Sequence, residues 1–123
     1  MKIAYYTLDE VNRCFVSRWL KAAGAAMACP AGRSLTESVP GVAAVVLDFD
    51  SLPSEVAAEW VRKLLKGGCG RTVLVHGHAI SDATAIALRS RGVRVCRTRV
   101  RKAALLRWVA RRERRSVAVG GSF

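Results

Sequence analysis

The stretch "GVAAVVLDFDSLP", residues 41–53, decides how the rest of the chain is read. Its apolar run does not alternate with polar residues, as expected of a parallel strand covered on both faces. It ends in two acids, Asp48 and Asp50, followed by Pro53. Such a run calls for helices on either side of a sheet, and the flanking sequence supplies them. "KIAYYT" (2–7) reads as a first strand, and Val11, Phe15 and Trp19 then recur at four-residue steps, with Leu20 and Ala23 beside them, in a helix closed by Gly24. "AAMACP" (25–30) is a short second strand, followed by a weak helical segment in "AGRSLTES" with Ser34 and Glu37 spaced as a capping box.

Downstream of Asp50, Ser51 or Ser54 can cap a helix whose stripe is Val56, Trp60, Val61 and Leu64. "KGGCGR" (66–71) reads as a helix-stop turn, since it follows a helix and precedes a strand, the reverse of a phosphate-binding loop. Strands are expected over 71–78 and 93–98, with helices over 81–92, capped by Ser81, and about 100–115; residues 116–123 read as a flexible tail. Five strands alternating with five helices predict a single α/β domain over residues 1–115, a doubly wound five-stranded parallel sheet with helices on both faces.

Composition narrows the function classes. The 123 residues are enough for one domain with a real core. No apolar run reaches the ~20 residues of a membrane span, and the N-terminus lacks the regions of a signal peptide, so a cytoplasmic protein is expected. Cys14, Cys29, Cys69 and Cys96 form no C-x-x-C pair and read as reduced thiols packed as small hydrophobes. Charge is unevenly spread. Residues 1–84 hold 9 Lys/Arg against 8 Asp/Glu, whereas residues 85–123 hold 12 against the single Glu113. In "RTRVRKAALLRWVARRERR", Val100, Ala104 and Trp108, with Leu105 and Val109, make an apolar stripe to dock on the sheet. Arg94, Arg99, Arg101, Lys102, Arg107, Arg111 and Arg112 then define a basic face. Its partner is expected to be a protein, or a second copy in a homodimer, with nucleic acid as an alternative; no stacking row of aromatics accompanies it.

In a doubly wound sheet, chemistry gathers at the carboxyl ends of the strands. That edge is expected to collect Thr7, Asp9 and Glu10, then Asp48 and Asp50, then His76 and His78, and finally Arg97 and Thr98. The two histidines, two positions apart, are expected to point the same way, where with a carboxylate they could ligate Zn²⁺ or Fe²⁺ or supply a general base; a structural role is the favoured reading.

Over residues 2 to about 113 this layout resembles the receiver domain of bacterial two-component response regulators. The resemblance implies that Asp48, ending strand three in "AVVLDFDSLP", stands in the place of the phosphoryl acceptor, with Asp9 and Glu10 as partners for Mg²⁺ and Arg97 near the phosphoryl oxygens. The pattern departs from the family at four points. Pro53 lies one residue too far from Asp48, and Thr7 and Leu8 stand where an acidic pair should end strand one. His76 replaces the switch Ser/Thr, and arginine replaces the lysine after strand five. An aspartate attacking phosphate needs a cation to offset the negative charge of both groups. The resemblance therefore implies a degenerate pseudo-receiver: a non-enzymatic signalling or interaction module, independent of phosphorylation and of cofactors. Mg²⁺ enters only in the alternative in which Asp48 accepts a phosphoryl group.

Overall fold

The computed structural model describes residues 1–67 and 72–121, with side chains as far as Glu113. Cys69 and most of "KGGCGR" lie outside those residues. Five strands, β1 (Lys2–Tyr6), β2 (Ala26–Ala28), β3 (Ala44–Asp48), β4 (Val73–His76) and β5 (Arg94–Cys96), form one sheet in the order β2-β1-β3-β4-β5, every pair parallel. The α-helices are α1 (Glu10–Ala22), α2 (Ser54–Lys66), α3 (Asp82–Ser90) and α4 (Lys102–Gly121). This is the expected doubly wound sheet, with four α-helices rather than five. The connection after β2 is a 3₁₀ turn, Gly32–Thr36. Its start at Ala31 carries no side-chain cap and Glu37 is already extended, so the Ser34/Glu37 capping box does not form. The last helix runs past residue 115, where its end was expected, to Gly121.

Side-chain direction alternates along the central strands, and the two faces gather separate cores. Ile3, Tyr5, Ala44, Val46 and Leu74 meet Val16 and Leu20 of α1 and Leu105, Trp108 and Val109 of α4. Ala4, Tyr6, Leu47, Val73 and Val75 meet Leu35 of the 3₁₀ turn, Trp60 and Leu64 of α2, and Ala85 and Leu88 of α3. Burial on both faces explains why β3 shows no alternation in sequence. Helical spacing identified α1 through Val11, Phe15 and Trp19 with Leu20 and Ala23 beside them; the sheet buries Leu20 together with Val16, and Val11 and Phe15 face outward. Cys14 is likewise exposed, so it is no core thiol.

Chain reversals follow their local chemistry. Gly24 and Gly92 adopt φ of 79° and 85° just after α1 and α3, a left-handed conformation that strains any residue with a Cβ. Ser81 caps α3 through the Thr84 amide, as its position predicts. Neither serine caps α2: its N-cap is Pro53, without a side-chain bond, because the Ser51 hydroxyl is used elsewhere.

Candidate functional site

The strand order reverses between β1 and β3, so the carboxyl ends of these strands form the topological switch point. Thr7 follows β1, Asp48 ends β3, and His76 ends β4 directly beside Asp48 in register. All three are buried, Asp48 and His76 completely. The sheet thus brings a carboxylate into a closed polar centre.

Both oxygens of that carboxylate accept hydrogen bonds. Oδ2 accepts the Thr7 hydroxyl at 2.8 Å, the Ser51 hydroxyl at 2.8 Å and the Asn12 side-chain amide at 3.1 Å. Oδ1 accepts the Asp50 backbone amide at 3.2 Å. The hydroxyls that donate to Asp48 accept in turn, Thr7 from the Asp9 amide and Ser51 from the Leu8 amide. Four segments, β1, the start of α1, the β3–α2 loop and β3 itself, are tied to one side chain. The carboxylate is surrounded by donors rather than by other acids.

Tyr5 and His76 complete the centre from beneath. The Tyr5 hydroxyl lies 2.9 Å from His76 Nε2. Burial, reinforced by the charge of Asp48, pushes the phenol above its ordinary value, so it meets His76 as a neutral hydroxyl. Nδ1 faces Asp48 Oδ1 at 3.7 Å, too far for a hydrogen bond, and has no other partner among the described residues. Burial holds the His76 pKa below its usual 6.5 even though Asp48 pulls the other way. Native His76 therefore stays neutral at pH values where an unfolded histidine is already protonated. Stability is full above pH 6.5 and falls as the pH drops below it toward the lowered native value. Urea midpoints measured from pH 7.5 to 5.5 should decline, and His76→Gln should remove much of that slope; an unaltered slope would show that His76 does not carry it.

The remaining edge residues do not converge on Asp48. Asp9 is the N-cap of α1, its Oδ1 accepting the Asn12 amide at 3.0 Å, and Glu10 is exposed and pairs with Arg13. The two histidines, expected to point together, separate because β4 ends at His76 and Gly77 turns the chain. His78 is exposed, its Nδ1 bonded to Asp50 Oδ2 at 2.8 Å and its amide to the same carboxylate. Partial burial raises the Asp50 pKa, but these bonds and the Ala79 amide outweigh it and hold the group below the usual range. Gly77 permits this closure, since a Cβ there would lie 3.1 Å from Asp50 Oδ1 and 3.3 Å from Phe49 Cβ. Arg97 turns away from the centre: its Nε donates to the Ile80 carbonyl at 3.0 Å and its guanidinium pairs with Asp82. The Thr98 hydroxyl donates to the Arg99 carbonyl at 2.9 Å.

Sequence reasoning passed over three members of the network. Tyr5 reads as a strand aromatic, Asn12 as an ordinary helix residue and Ser51 as a cap. A polar residue three positions past an N-cap acid, as Asn12 is past Asp9, was the one local cue.

The basic residues divide between two grooves. Arg99, Arg101 and Lys102 line one of about 720 Å³ against α1. Arg94, Arg111 and Arg112 line another of about 600 Å³, with Arg89 of α3. Arg107 is exposed and lines neither.

The strand order and the two helix layers define a receiver-like α/β fold. Solved structures share it. A protein described as pilus assembly-related from Burkholderia pseudomallei superposes with a TM-score of 0.62 at 19% identity, over 91% of this chain and 88% of that one. A pilus assembly protein (cpaE) from Burkholderia thailandensis gives 0.64 at 19% identity, over 92% and 98%. No family model and no curated protein sequence matches the chain.

Proposed function

We propose that the chain is a non-enzymatic signalling or protein-interaction module of the pseudo-receiver type, acting without phosphorylation through a basic output face on β5 and α4. The observation that carries this reading is the state of Asp48, fully buried and bonded to four donors. A phosphoryl acceptor has to meet its donor in solvent and leave an oxygen free for attack. Nor does the donor set suit Mg²⁺, which asks for several oxygen ligands in near-octahedral array. Asp9 is committed to capping α1, Glu10 to Arg13, and both oxygens of Asp48 to protein donors. Arg97 is held on α3, away from where phosphoryl oxygens would lie.

The output face draws its support from charge. Arg94, Arg99, Arg101, Lys102, Arg107 and Arg111 are exposed, and none makes an ion pair among the described residues. Uncompensated cations on an exposed surface attract an acidic partner and speed its approach. Among the described residues no helix is long and apolar enough to cross a membrane. Work in a pilus-assembly machine, for which both structural neighbours are named, is one setting that a module without chemistry of its own would suit.

Affinity capture from cells expressing the chain tests the face. Proteins held by the wild type should be lost from Arg94→Glu/Arg111→Glu, while the far-ultraviolet circular dichroism stays unchanged. An unaltered set would place the output elsewhere, and captured material removed by nuclease would point to nucleic acid instead.

A further inference from the structure

We infer that the groove between α1 and the start of α4 is a docking site for an acidic amphipathic helix of a partner protein. This rests on reading the chain as an interaction module but uses a different groove from the one lined by Arg94 and Arg111. One wall is the outward stripe of α1. Val11 and Phe15 are 62% and 46% exposed, and Trp19 is half-buried. The rings of Phe15 and Trp19 stack with centroids 5.7 Å apart and planes 22° from parallel. The other wall is cationic: Arg99, Arg101 and Lys102, all exposed and without an ion pair among the described residues. Large apolar side chains left in water at regular helical steps on a small domain mark a contact surface. Aromatic residues beside arginine are the composition of binding hot spots.

The chemistry selects the occupant. Val11, Phe15 and Trp19 span two helical turns, about 12 Å of rise. That is the length over which an apposed helix presents apolar residues at i, i+4 and i+7. The cations lie along one side only, so the partner helix needs an apolar stripe with carboxylates on that flank. A second copy of this chain fits poorly, because its groove carries the same three cations and the whole chain is strongly basic, at +12. Nucleic acid would satisfy the cations, but Phe15 and Trp19 already stack on each other, and the aliphatic Val11 gives a base no ring to stack on.

The test titrates the ¹⁵N-labelled chain, at physiological salt, with a designed helical peptide of about 20 residues bearing a leucine stripe flanked by glutamates. Amide shifts should cluster at Val11, Phe15, Trp19 and Arg101, and Trp19 fluorescence should change. Phe15→Ala and, separately, Lys102→Glu should each weaken binding roughly tenfold; Phe15 is exposed enough and Lys102 polar enough that both variants should fold. Arg94→Gln/Arg111→Gln should leave the affinity within about threefold, which separates this groove from the one lined by Arg94 and Arg111. Equal binding of a peptide with the same composition and scrambled leucines would reduce the site to diffuse charge attraction. Groove shifts produced by a single-stranded oligonucleotide but not by the peptide, shifts that grow with protein concentration alone, or no shifts with peptide would each overturn the inference.

Discussion

Asp48→Ala is expected to lower the unfolding free energy by about 3 kcal/mol. The substitution leaves the Thr7 and Ser51 hydroxyls, the Asn12 amide and the Asp50 backbone amide without their acceptor in a buried site. An orphaned buried donor costs about 1–3 kcal/mol, and a bond to a charged acceptor is worth more than a neutral one. Against this, alanine relieves the cost of burying an isolated carboxylate, so the loss lies near the lower end of the 3–5 kcal/mol typical of breaking a buried charge interaction. The sign carries the meaning. In a catalytic pocket where acids crowd together to hold a cation, removing one relieves repulsion, and function is held at a cost in stability. Here the carboxylate has donors around it and joins β1, β3 and α1. A reduced urea midpoint with an unchanged slope would agree with a structural carboxylate; an unchanged or raised midpoint would contradict it.

The second large effect is expected at Trp60, 5% exposed on α2. Its indole Nε1 donates to the Leu35 carbonyl at 2.7 Å, and its ring meets Tyr6 edge-on with centroids 4.8 Å apart. This one side chain fastens α2 both to the sheet and to the 3₁₀ turn. Trp60→Ala should cost about 3–5 kcal/mol, through the cavity and the lost contacts together. Trp60→Phe keeps most of the packing but leaves the Leu35 carbonyl unpaired, a cost of about 1–3 kcal/mol. Hydrogen exchange should locate the damage: the Ser34 and Glu37 amides, bonded within the turn to Ala31 and Ser34, should exchange faster in both variants. If their protection held while global stability fell, Trp60 would be supporting the sheet alone.

The architecture was legible because it is written in local pattern. The unalternating run at 43–48 required a strand covered on both faces, and Gly24, Gly92 and Ser81 marked their helix ends through backbone chemistry that works at short range. The segment after β2 was harder, since a few residues can satisfy a 3₁₀ turn without helical periodicity. On α1, a four-residue step shows that a helix forms but not which side is wet: Val16 and Leu20 share the helix with Val11 and Phe15, and only the sheet decides between them. The polar centre shows the other limit. Tyr5 and His76 are 71 residues apart, and Thr7 and Asp48 are 41, so no spacing announces their contact. Residue type placed Asp48 at a strand end; only the assembled sheet surrounds it with Thr7, Asn12 and Ser51. The single basic face seen in sequence likewise divides between two grooves, because the start of α4 opens toward α1 whereas β5 and the middle of α4 open toward α3.

The most direct test is the amide NMR spectrum of the chain with saturating Mg²⁺, before and after beryllofluoride, a mimic of a phosphoryl group on aspartate. The account predicts no change at Asp48, His76 or Arg97, because the Asp48 oxygens are buried and already bonded. Saturable, Mg²⁺-dependent shifts spreading from Asp48 to His76 and Arg97, and lost in Asp48→Asn, would contradict it and make the chain a phosphoryl-accepting receiver.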